Sequence, residues 1–307
     1  MSEHHIIKKY FQSSKNSTIA LGIGDDAAIF NVPQEKQLVV SMDTLNEGVH
    51  FFADTNAADI GYKALAVNLS DMAAMGAEPK WITMSLSLPE MDETWLEHFM
   101  QGFNELANQY AVELIGGDLC KGAMSITVQA HGLVDKDKSL TRSNAKVGDR
   151  IYVSGELGAA GLAYTNKKVD KAISEDDLLR LNRPIPRLEL GQALIDKATS
   201  CIDLSDGLAN DLQHVVTASD VGAKLFADEL PLANSLKELE QDKAFELGLC
   251  AGDDYELCFT LPNNLNTKLL QNFNIKHIGE ITAEKKLVLL DAEENEIPFE
   301  FTGYQHF

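Results

Sequence analysis

Hydrophobic and polar positions recur along the chain with the periods of strands and helices. Residues 81–88 (WITMSLSL) alternate large apolar and hydroxyl side chains, which predicts a half-buried strand. Residues 92–109 repeat large apolar side chains at helical spacing, which predicts a helix that packs on a core. Residues 59–76 predict another helix, with Asp59 as its N-cap and Gly76 at its C-terminal end.

The same periods continue through the rest of the chain. Further strands are predicted at 38–42, 111–115, 124–134, 150–153, 201–204, 223–227, 255–260, 276–281 and 286–291, and further helices near 156–165, 174–182, 187–198, 207–218 and 234–247. The polar segment 135–150 has few large apolar residues and is the best predicted linker. Because strands and helices alternate on both sides of it, we expect an α/β protein with mixed (α+β) sheets. The predicted domains are 1–137 and 138–307.

The length and charge of the chain limit the number of domains and the kinds of partner that it can have. The chain has 307 residues, enough for two domains, with 26 Lys and Arg against 47 Asp and Glu and a formal net charge of -21. This negative charge argues against nucleic acid or an anionic membrane as a partner, and it permits metal ions. Taken alone, however, the charge is better explained by an acidic surface that aids solubility.

Neither a membrane span nor a secretion signal is evident in the sequence. No apolar run approaches the ~18 residues that cross a bilayer. The N-terminal sequence MSEHHIIKKYF lacks the apolar core of a signal peptide. We therefore expect a cytoplasmic protein.

Acidic residues recur where apolar runs end, beside glycine or another small residue. The first case is LGIGDDAAI at residues 21–29, and the full set is Asp25, Asp26, Asp43, Asp71, Asp118, Asp203, Asp206, Asp253 and Asp254. Any single case is explained by a turn or a helix cap. The motifs taken together predict a site for several metal ions and a phosphate, because Mg2+ binds carboxylate oxygens and substrate phosphates.

Three side chains near these motifs have two interpretations each. Asp71 lies in a predicted apolar helix and needs a partner when ionised, and Asn68, three residues earlier on the same helix face, is expected to share a bound ligand with it; the alternative is a solvent-facing position. His50 either contacts a substrate or packs in its loop. Arg142 either clamps a phosphate or lies alone on the surface. The residues alone leave these alternatives open.

The familiar nucleotide-binding motifs are absent from the sequence. There is no P-loop, no kinase-type H-R-D or D-F-G set and no G-x-S-x-G elbow. The stretch VSGELGAAG at residues 153–161 matches a dinucleotide fingerprint only loosely. The favoured interpretation is a turn at the start of a helix, and the second is a loop that binds a phosphate.

The motifs as a set resemble those of the thiamine-monophosphate kinase family. The matching strings occur in family order from about residue 20 onward, and they are LGIGDDAAI, SMDTLNEGVHF, YKALAVNLSDMAAMGAEP, LIGGD, LTRSNAKVGD, YVSGELGAAG, CIDLSDGLANDL and AGDDYELCF. The joint match distinguishes the chain from related enzymes such as aminoimidazole ribonucleotide synthetase, selenophosphate synthetase and a hydrogenase-maturation dehydratase.

The resemblance implies a fold, a reaction and its cofactors. The implied fold is the two-domain ATP-binding fold of aminoimidazole ribonucleotide synthetase, with ATP and metal binding and homodimer formation in the N-terminal domain. The implied reaction transfers a phosphoryl group from ATP to thiamine monophosphate, which gives thiamine diphosphate. The family uses several Mg2+ ions, and K+ stimulates some members.

The resemblance also implies roles for residues of this chain. The implied metal ligands are Asp26, Ser41, Met42 (through its backbone), Asp43, Asp71, Asp118, Asp203 and Asp206. The implied ATP contacts are Gly117, Asp118, Arg142 and Ser205, the implied substrate contacts are His50, Asp253 and Tyr304, and the implied catalytic residues are Asp43, Asp71 and Asp118. At two positions the chain departs from the usual family residues: Asp253 replaces Glu and Leu119 replaces Thr.

We expect direct in-line transfer without a phosphoenzyme, because the acceptor is an ionised phosphate that needs no strong base. Two alternatives remain. One is another ATP-dependent enzyme of the same superfamily, and the other is a non-catalytic protein whose acidic residues only bind metal.

Overall fold

The chain forms two compact units. The computed structural model describes residues 6–11, 19–23, 26–300 and 303–304. The first unit consists of the chain up to residue 72 together with 77–137. The second consists of 73–76 and the chain from residue 138 onward. Each unit has its own sheet.

The first unit is built on a four-stranded mixed sheet of order β3-β6-β4-β5. Its elements in chain order are a π-helical turn (Ile7–Phe11), β1 (Ile19–Leu21), β2 (Ile29–Phe30), β3 (Lys36–Asn46), α1 (Ala57–Ala74), β4 (Glu78–Leu88), α2 (Glu93–Gln109), β5 (Glu113–Lys121) and β6 (Ser125–Asp135). β4 runs parallel to β5 and antiparallel to β6, and β6 runs antiparallel to β3. β1 and β2 form a separate antiparallel pair.

Two glycines bring α1 and α2 into backbone contact. A Cβ atom on Gly61 would lie 2.0 Å from the carbonyl oxygen of Phe99, and one on Gly102 would lie 1.8 Å from that of Ala58. Only a residue without a side chain permits this approach. The contact therefore fixes the position of α1, which carries Asp71.

The second unit is built on a seven-stranded sheet of order β13-β12-β9-β11-β7-β10-β8. Its strands are β7 (Arg150–Ser154), β8 (Ser200–Asp203), β9 (Gly222–Phe226), β10 (Leu257–Leu261), β11 (Ile275–Thr282), β12 (Leu287–Leu290) and β13 (Glu296–Ile297). Its α-helices are α3 (Ala159–Lys168), α4 (Glu175–Asn182), α5 (Leu188–Leu194), α6 (Leu208–Ser219) and α7 (Gln241–Cys250). Three 3-10 helices lie at Ala227–Glu229, Asn234–Glu238 and Thr267–Leu270.

The predicted α/β class with mixed sheets is confirmed, and the differences lie in the element ends. The predicted helix over 234–247 is a 3-10 turn followed by α7. The prediction of Asp59 as the α1 N-cap is wrong: α1 begins at Ala57, and Asn56 Oδ1 accepts a hydrogen bond from the Ala58 N–H at 2.8 Å. Asp59 instead lies in the first helical turn.

Gly76 follows the end of α1, as predicted. Its φ of +66° is a left-handed conformation that glycine adopts without strain. Among the described residues, no helix is long and apolar enough to cross a membrane.

Candidate active site

A pair of carboxylates joins β3 to α1 in the first unit. Ser41 and Asp43 point to the same face of β3, since side chains alternate along a strand. The Ser41 hydroxyl donates a hydrogen bond to Asp71 Oδ2. Burial, with the charge of Asp71 and a hydrogen bond to it, raises the pKa of Asp43 to about 7. The two acids therefore share a proton near neutral pH.

The side chain of Met42 points away from this carboxylate pair. Met42 lies between Ser41 and Asp43 on β3 and is 60% exposed on the opposite face of the sheet. Any contact it makes beside Asp43 must therefore use its main chain.

The loop after β3 fixes His50. Its Nδ1 accepts a hydrogen bond from the Asn46 N–H at 3.0 Å, which places the proton of the neutral ring on Nε2. Lys63 of α1, 2% exposed, donates from Nζ to the His50 carbonyl oxygen at 3.2 Å. Lys63 is not among the predicted site residues, although it is the single cation of a largely apolar helix.

Asn68 lies in the core of the first unit. Its Nδ2 donates to the Ala64 carbonyl oxygen of the preceding helical turn at 3.1 Å. Its buried Oδ1 has no hydrogen-bond partner within the described part of the chain. The predicted sharing of a ligand between Asn68 and Asp71 stays a prediction.

A cavity of about 640 Å3 in the first unit collects three of the predicted site residues: Asp26, Gly117 and Asp118. Its apolar lining includes Phe11 and Ile115. A volume of this size suits a small-molecule ligand, and a mostly apolar wall with a few polar groups is typical of such sites.

Gly117 shapes the wall of this cavity. Its φ is +155°, and a Cβ atom there would lie 1.9 Å from the carbonyl oxygen of Met84 on β4. Any side chain at this position would therefore force β5 away from β4, and the cavity would change shape.

In the second unit, the ends of β8 and β10 carry a second acidic group. Asp203 closes β8 opposite Leu257 and is buried. Backbone hydrogen bonds then hold two later segments against the turn after β8: the Asp253 N–H donates to Ser205 O at 3.0 Å, and the Tyr304 N–H donates to Asp206 O at 3.1 Å. The structure thus brings together predicted ATP, metal and substrate residues within this unit.

Two further acids surround this turn. Burial raises the pKa of Asp211 to about 7, although the Asp206 N–H donates to its Oδ2 at 3.1 Å and the charge of Arg142 favours ionisation. Burial also raises the pKa of Asp254 well above its usual range, opposed by the Gly158 N–H that donates to it at 2.9 Å. Asp211 is not among the predicted site residues, although it is the third acid of the stretch DLSDGLANDL.

The tyrosine at 304 lies beside charged and aromatic side chains. Burial raises its pKa, and so do the neighbouring Tyr164 and Asp253, whereas the charge of Lys168 lowers it. Lys168 Nζ lies 4.9 Å from the centre of the Tyr164 ring. The surroundings of Tyr304 are therefore both aromatic and acidic.

The predicted metal ligands fall into three groups. Asp43 and Asp71 form the β3–α1 pair, Asp26 and Asp118 line the cavity, and Asp203 and Asp206 lie in the second unit; Asp25 is outside the described residues. Over the described ranges, no three His, Cys, Asp or Glu side chains lie together so as to hold a metal ion. The pair Asp43–Asp71 nevertheless has the chemistry of a cation site, because two adjoining carboxylates repel unless a proton or cation lies between them.

Both units match one class of protein. The N-terminal domain of the AIR synthase related proteins matches residues 24–134, and the C-terminal domain of the same class matches residues 146–292. The two-domain fold is therefore that of the AIR synthase related proteins.

Within this class, the chain is most clearly similar to thiamine-monophosphate kinases. Thiamine-monophosphate kinase of Escherichia coli K12 is 45% identical over 320 residues, covering 99% of this chain and 98% of the kinase. The crystal structure of thiamine-monophosphate kinase from Stenotrophomonas maltophilia K279a has a TM-score of 0.85 and 43% identity, covering 90% of this chain and 92% of that one. The structure of AaThiL complexed with AMPPCP and TMP has a TM-score of 0.79 and 30% identity, covering 93% and 92%. The chain belongs to the thiamine-monophosphate kinase family.

Proposed function

We propose that the protein phosphorylates thiamine monophosphate with ATP and releases thiamine diphosphate and ADP, the last step in the formation of that cofactor. The observation that carries this proposal is the 45% identity to the Escherichia coli kinase over 99% of the chain. The similarity to a kinase complexed with AMPPCP, an analogue of ATP, and TMP supports the same two ligands here.

Gly117 and Asp118 of the first unit are proposed ATP contacts. Both line the cavity beside β5, where Gly117 allows β5 to lie close against Met84 of β4. Arg142 and Ser205 of the second unit are further proposed ATP contacts. Arg142 suits a phosphate because its guanidinium presents several donors in one plane.

Asp43 and Asp71 are the best-supported Mg2+ ligands. Their shared proton marks a place where a cation would relieve repulsion. The other proposed ligands are Asp26, Ser41, the Met42 backbone, Asp118, Asp203 and Asp206. Mg2+ held by these residues would neutralise the charges of the two phosphates. K+ is a further proposed ion.

His50, Asp253 and Tyr304 are proposed contacts of thiamine monophosphate. The thiazolium ring of this substrate is cationic, so the negative charge of Asp253, which raises the pKa of Tyr304, suits it. His50 presents a protonated Nε2, which is suited to donating to a phosphate oxygen.

The proposed transfer is direct and in line. An oxygen of the substrate phosphate forms a bond to the γ-phosphorus of ATP while the bond from that phosphorus to the β,γ-bridging oxygen breaks, and ADP leaves. Since the attacking oxygen is already ionised, the protein must position the two phosphates and offset their charge rather than remove a proton.

We propose a cytoplasmic homodimer that forms through the first unit. β3 is an edge strand, and its outer face presents Leu38, Val40 and Met42 to solvent. An exposed apolar edge strand of this kind is typical of an interaction surface.

The decisive experiment measures ADP release from Mg-ATP with thiamine monophosphate, with thiamine, or with no acceptor. We expect release that depends on the monophosphate and gives thiamine diphosphate. ATP binding without release that depends on either acceptor would favour another enzyme of the superfamily. Metal binding without ATP turnover would favour a metal-binding protein.

A further inference from the structure

The segment that carries Asp253 has an unusual backbone. Asp253 has a φ of +69° and Tyr255 a φ of +48°, both in the left-handed region that non-glycine residues rarely adopt. Asp tolerates this conformation, but a bulky residue such as Tyr does so only when its surroundings enforce it. The contacts that hold this segment therefore determine where the Asp253 carboxylate lies.

Several hydrogen bonds hold the carboxylate of Glu256, the residue after Tyr255. Arg187 binds it with two nitrogens, Nε to Oε2 at 2.6 Å and Nη2 to Oε1. The Ser154 hydroxyl also donates to Oε2 at 2.5 Å, while the same hydroxyl accepts the Leu257 N–H at 2.9 Å. The side chain of Glu256 is 3% exposed and that of Arg187 is 26% exposed.

The absence of a side chain at Gly155 leaves space for the carboxylate of Glu256. A Cβ atom on Gly155 would lie 2.0 Å from Glu256 Oε1. The fork of Arg187 and the hydroxyl of Ser154 therefore meet Glu256 in a place kept open by a glycine.

A second contact holds Asp254, on the other side of Tyr255. Its carboxylate accepts the Gly158 N–H at the start of α3, at 2.9 Å to Oδ1 and 3.1 Å to Oδ2. Backbone bonds complete the restraint, with the Tyr255 N–H donating to Leu204 O at 2.8 Å. Asp253 is thus followed by two residues, Asp254 and Glu256, whose side chains are held by hydrogen bonds.

We propose that Arg187, acting through Glu256, is a positioning residue that holds Asp253 where it contacts thiamine monophosphate. The proposal rests on the proposed function. A buried ion pair is a weak source of net stability, because desolvation offsets its attraction. Removing one partner nevertheless leaves the other charge unpaired and costs stability, so a test of positioning must keep the positive charge at position 187.

A double-mutant cycle tests the proposal, with the variants Arg187→Lys, Asp253→Asn and the two combined. Lysine keeps the charge and loses the planar fork. We expect Arg187→Lys to raise the KM for thiamine monophosphate about tenfold or more and to change the KM for ATP less than about twofold. In the Asp253→Asn background, the same substitution should have no further effect on the first KM.

The cycle separates positioning from a general structural role. If Arg187→Lys raises both KM values and lowers Tm, or if its effect persists unchanged in the Asp253→Asn background, the proposal is overturned. If Asp253→Asn alone leaves the KM for thiamine monophosphate unchanged, the substrate contact itself is wrong and the positioning proposal fails with it; phosphorylation of thiamine monophosphate by the wild type would still stand.

Two further variants distinguish a positioning effect from a folding defect. Glu256→Gln keeps the size of the side chain and removes its charge, and we expect it to raise the same KM as Arg187→Lys does. Lys276→Met removes an exposed ion pair, Lys276 with Glu229 at 2.7 Å, from the same sheet. It should change neither KM. A Glu256→Gln variant with normal Tm and normal KM would overturn the proposal.

Discussion

The Ser41 hydroxyl donates a hydrogen bond to the carboxylate of Asp71, 30 residues later in the chain. The bond ties β3 to α1 at the point where Asp43 also contacts Asp71. Two acids and a hydroxyl from two different elements therefore converge in the first unit. Since a strand and a helix fix their backbones, the positions of these three side chains are set by the fold itself.

Asp71→Asn should remove catalysis without unfolding the protein. The amide keeps the size of the side chain but cannot supply an ionised oxygen to Mg2+. We expect kcat to fall at least about a hundredfold and the rise of Tm with Mg2+ to be lost. Removal of one of two repelling carboxylates should leave the Tm of the metal-free protein equal or higher.

Asp135→Asn is the matched control for that variant. Asp135 lies at the end of β6 in the same unit and forms an exposed ion pair with Lys36 at 2.7 Å. It should leave kcat and the Mg2+ response unchanged. Near-normal turnover by Asp71→Asn would remove Asp71 from the metal site.

The stability of the metal-free protein should depend on the ionisation of Asp43. Its pKa is about 7 in the folded protein against 3.8 for the ordinary group. Between these values the folded state holds a proton that the unfolded state has released. Stability therefore falls as pH rises from about 4 to about 7 and levels off above that. Asp211, whose pKa is also raised to about 7, contributes with the same sign.

Mg2+ should reverse the part of this loss that comes from Asp43. A cation competes with the shared proton, so the rise of Tm on adding Mg2+ should be larger at pH 8 than at pH 6. Thermal unfolding at both pH values, with and without Mg2+, measures this effect. Asp43→Asn should remove both the Mg2+ response and its pH dependence, while Asp211→Asn should keep them. An Mg2+ response independent of pH would contradict the assignment.

The sequence predicted helices and strands better than it predicted contacts between distant residues. Helices and strands depend on residues that are neighbours in the sequence, whereas contacts depend on residues that are far apart in it. The helix over 92–109 depends on local spacing and on Asp92, whose side chain accepts the Thr94 and Trp95 N–H groups, and it forms as predicted. The wrong N-cap at Asp59 shows the limit, because Asn56, three residues earlier, is an equally good capping residue.

Long-range contacts left little trace in the sequence. Arg187 and Glu256 are 69 residues apart, and neither side chain is unusual in its local sequence. Their pairing depends on the order of strands in the sheet, which periodicity does not reveal. Asp43 and Asp71 were singled out because one ends an apolar run and the other interrupts one, which marks a need for compensation although it does not identify the partner.

Gly117→Ala should damage both the cavity and the fold. The added Cβ would meet the Met84 carbonyl oxygen at 1.9 Å, and φ of +155° disfavours any side chain. We expect a loss of about 1–3 kcal/mol in the free energy of unfolding and a weaker rise of Tm with Mg-ATP. Denaturant titration and thermal unfolding measure the two effects.

Gly148→Ala provides the comparison for this variant. Gly148 also has a positive φ, +88°, but a Cβ there would meet nothing within 4 Å. This variant should lose only the smaller cost of backbone strain and keep the full ATP response. If Gly117→Ala binds Mg-ATP as the wild type does, the cavity beside β5 is not the nucleotide site.

Asp253→Glu tests how the substrate pocket tolerates the longer side chain that the family usually carries. The charge is retained, so transfer to thiamine monophosphate should stay within about threefold of wild type. The backbone opposes the change slightly, because φ of +69° suits Asp better than Glu. We therefore expect a small fall in Tm with near-normal KM, measured by thermal unfolding and steady-state kinetics. A large rise in KM with unchanged Tm would show that the pocket is fitted to the shorter carboxylate.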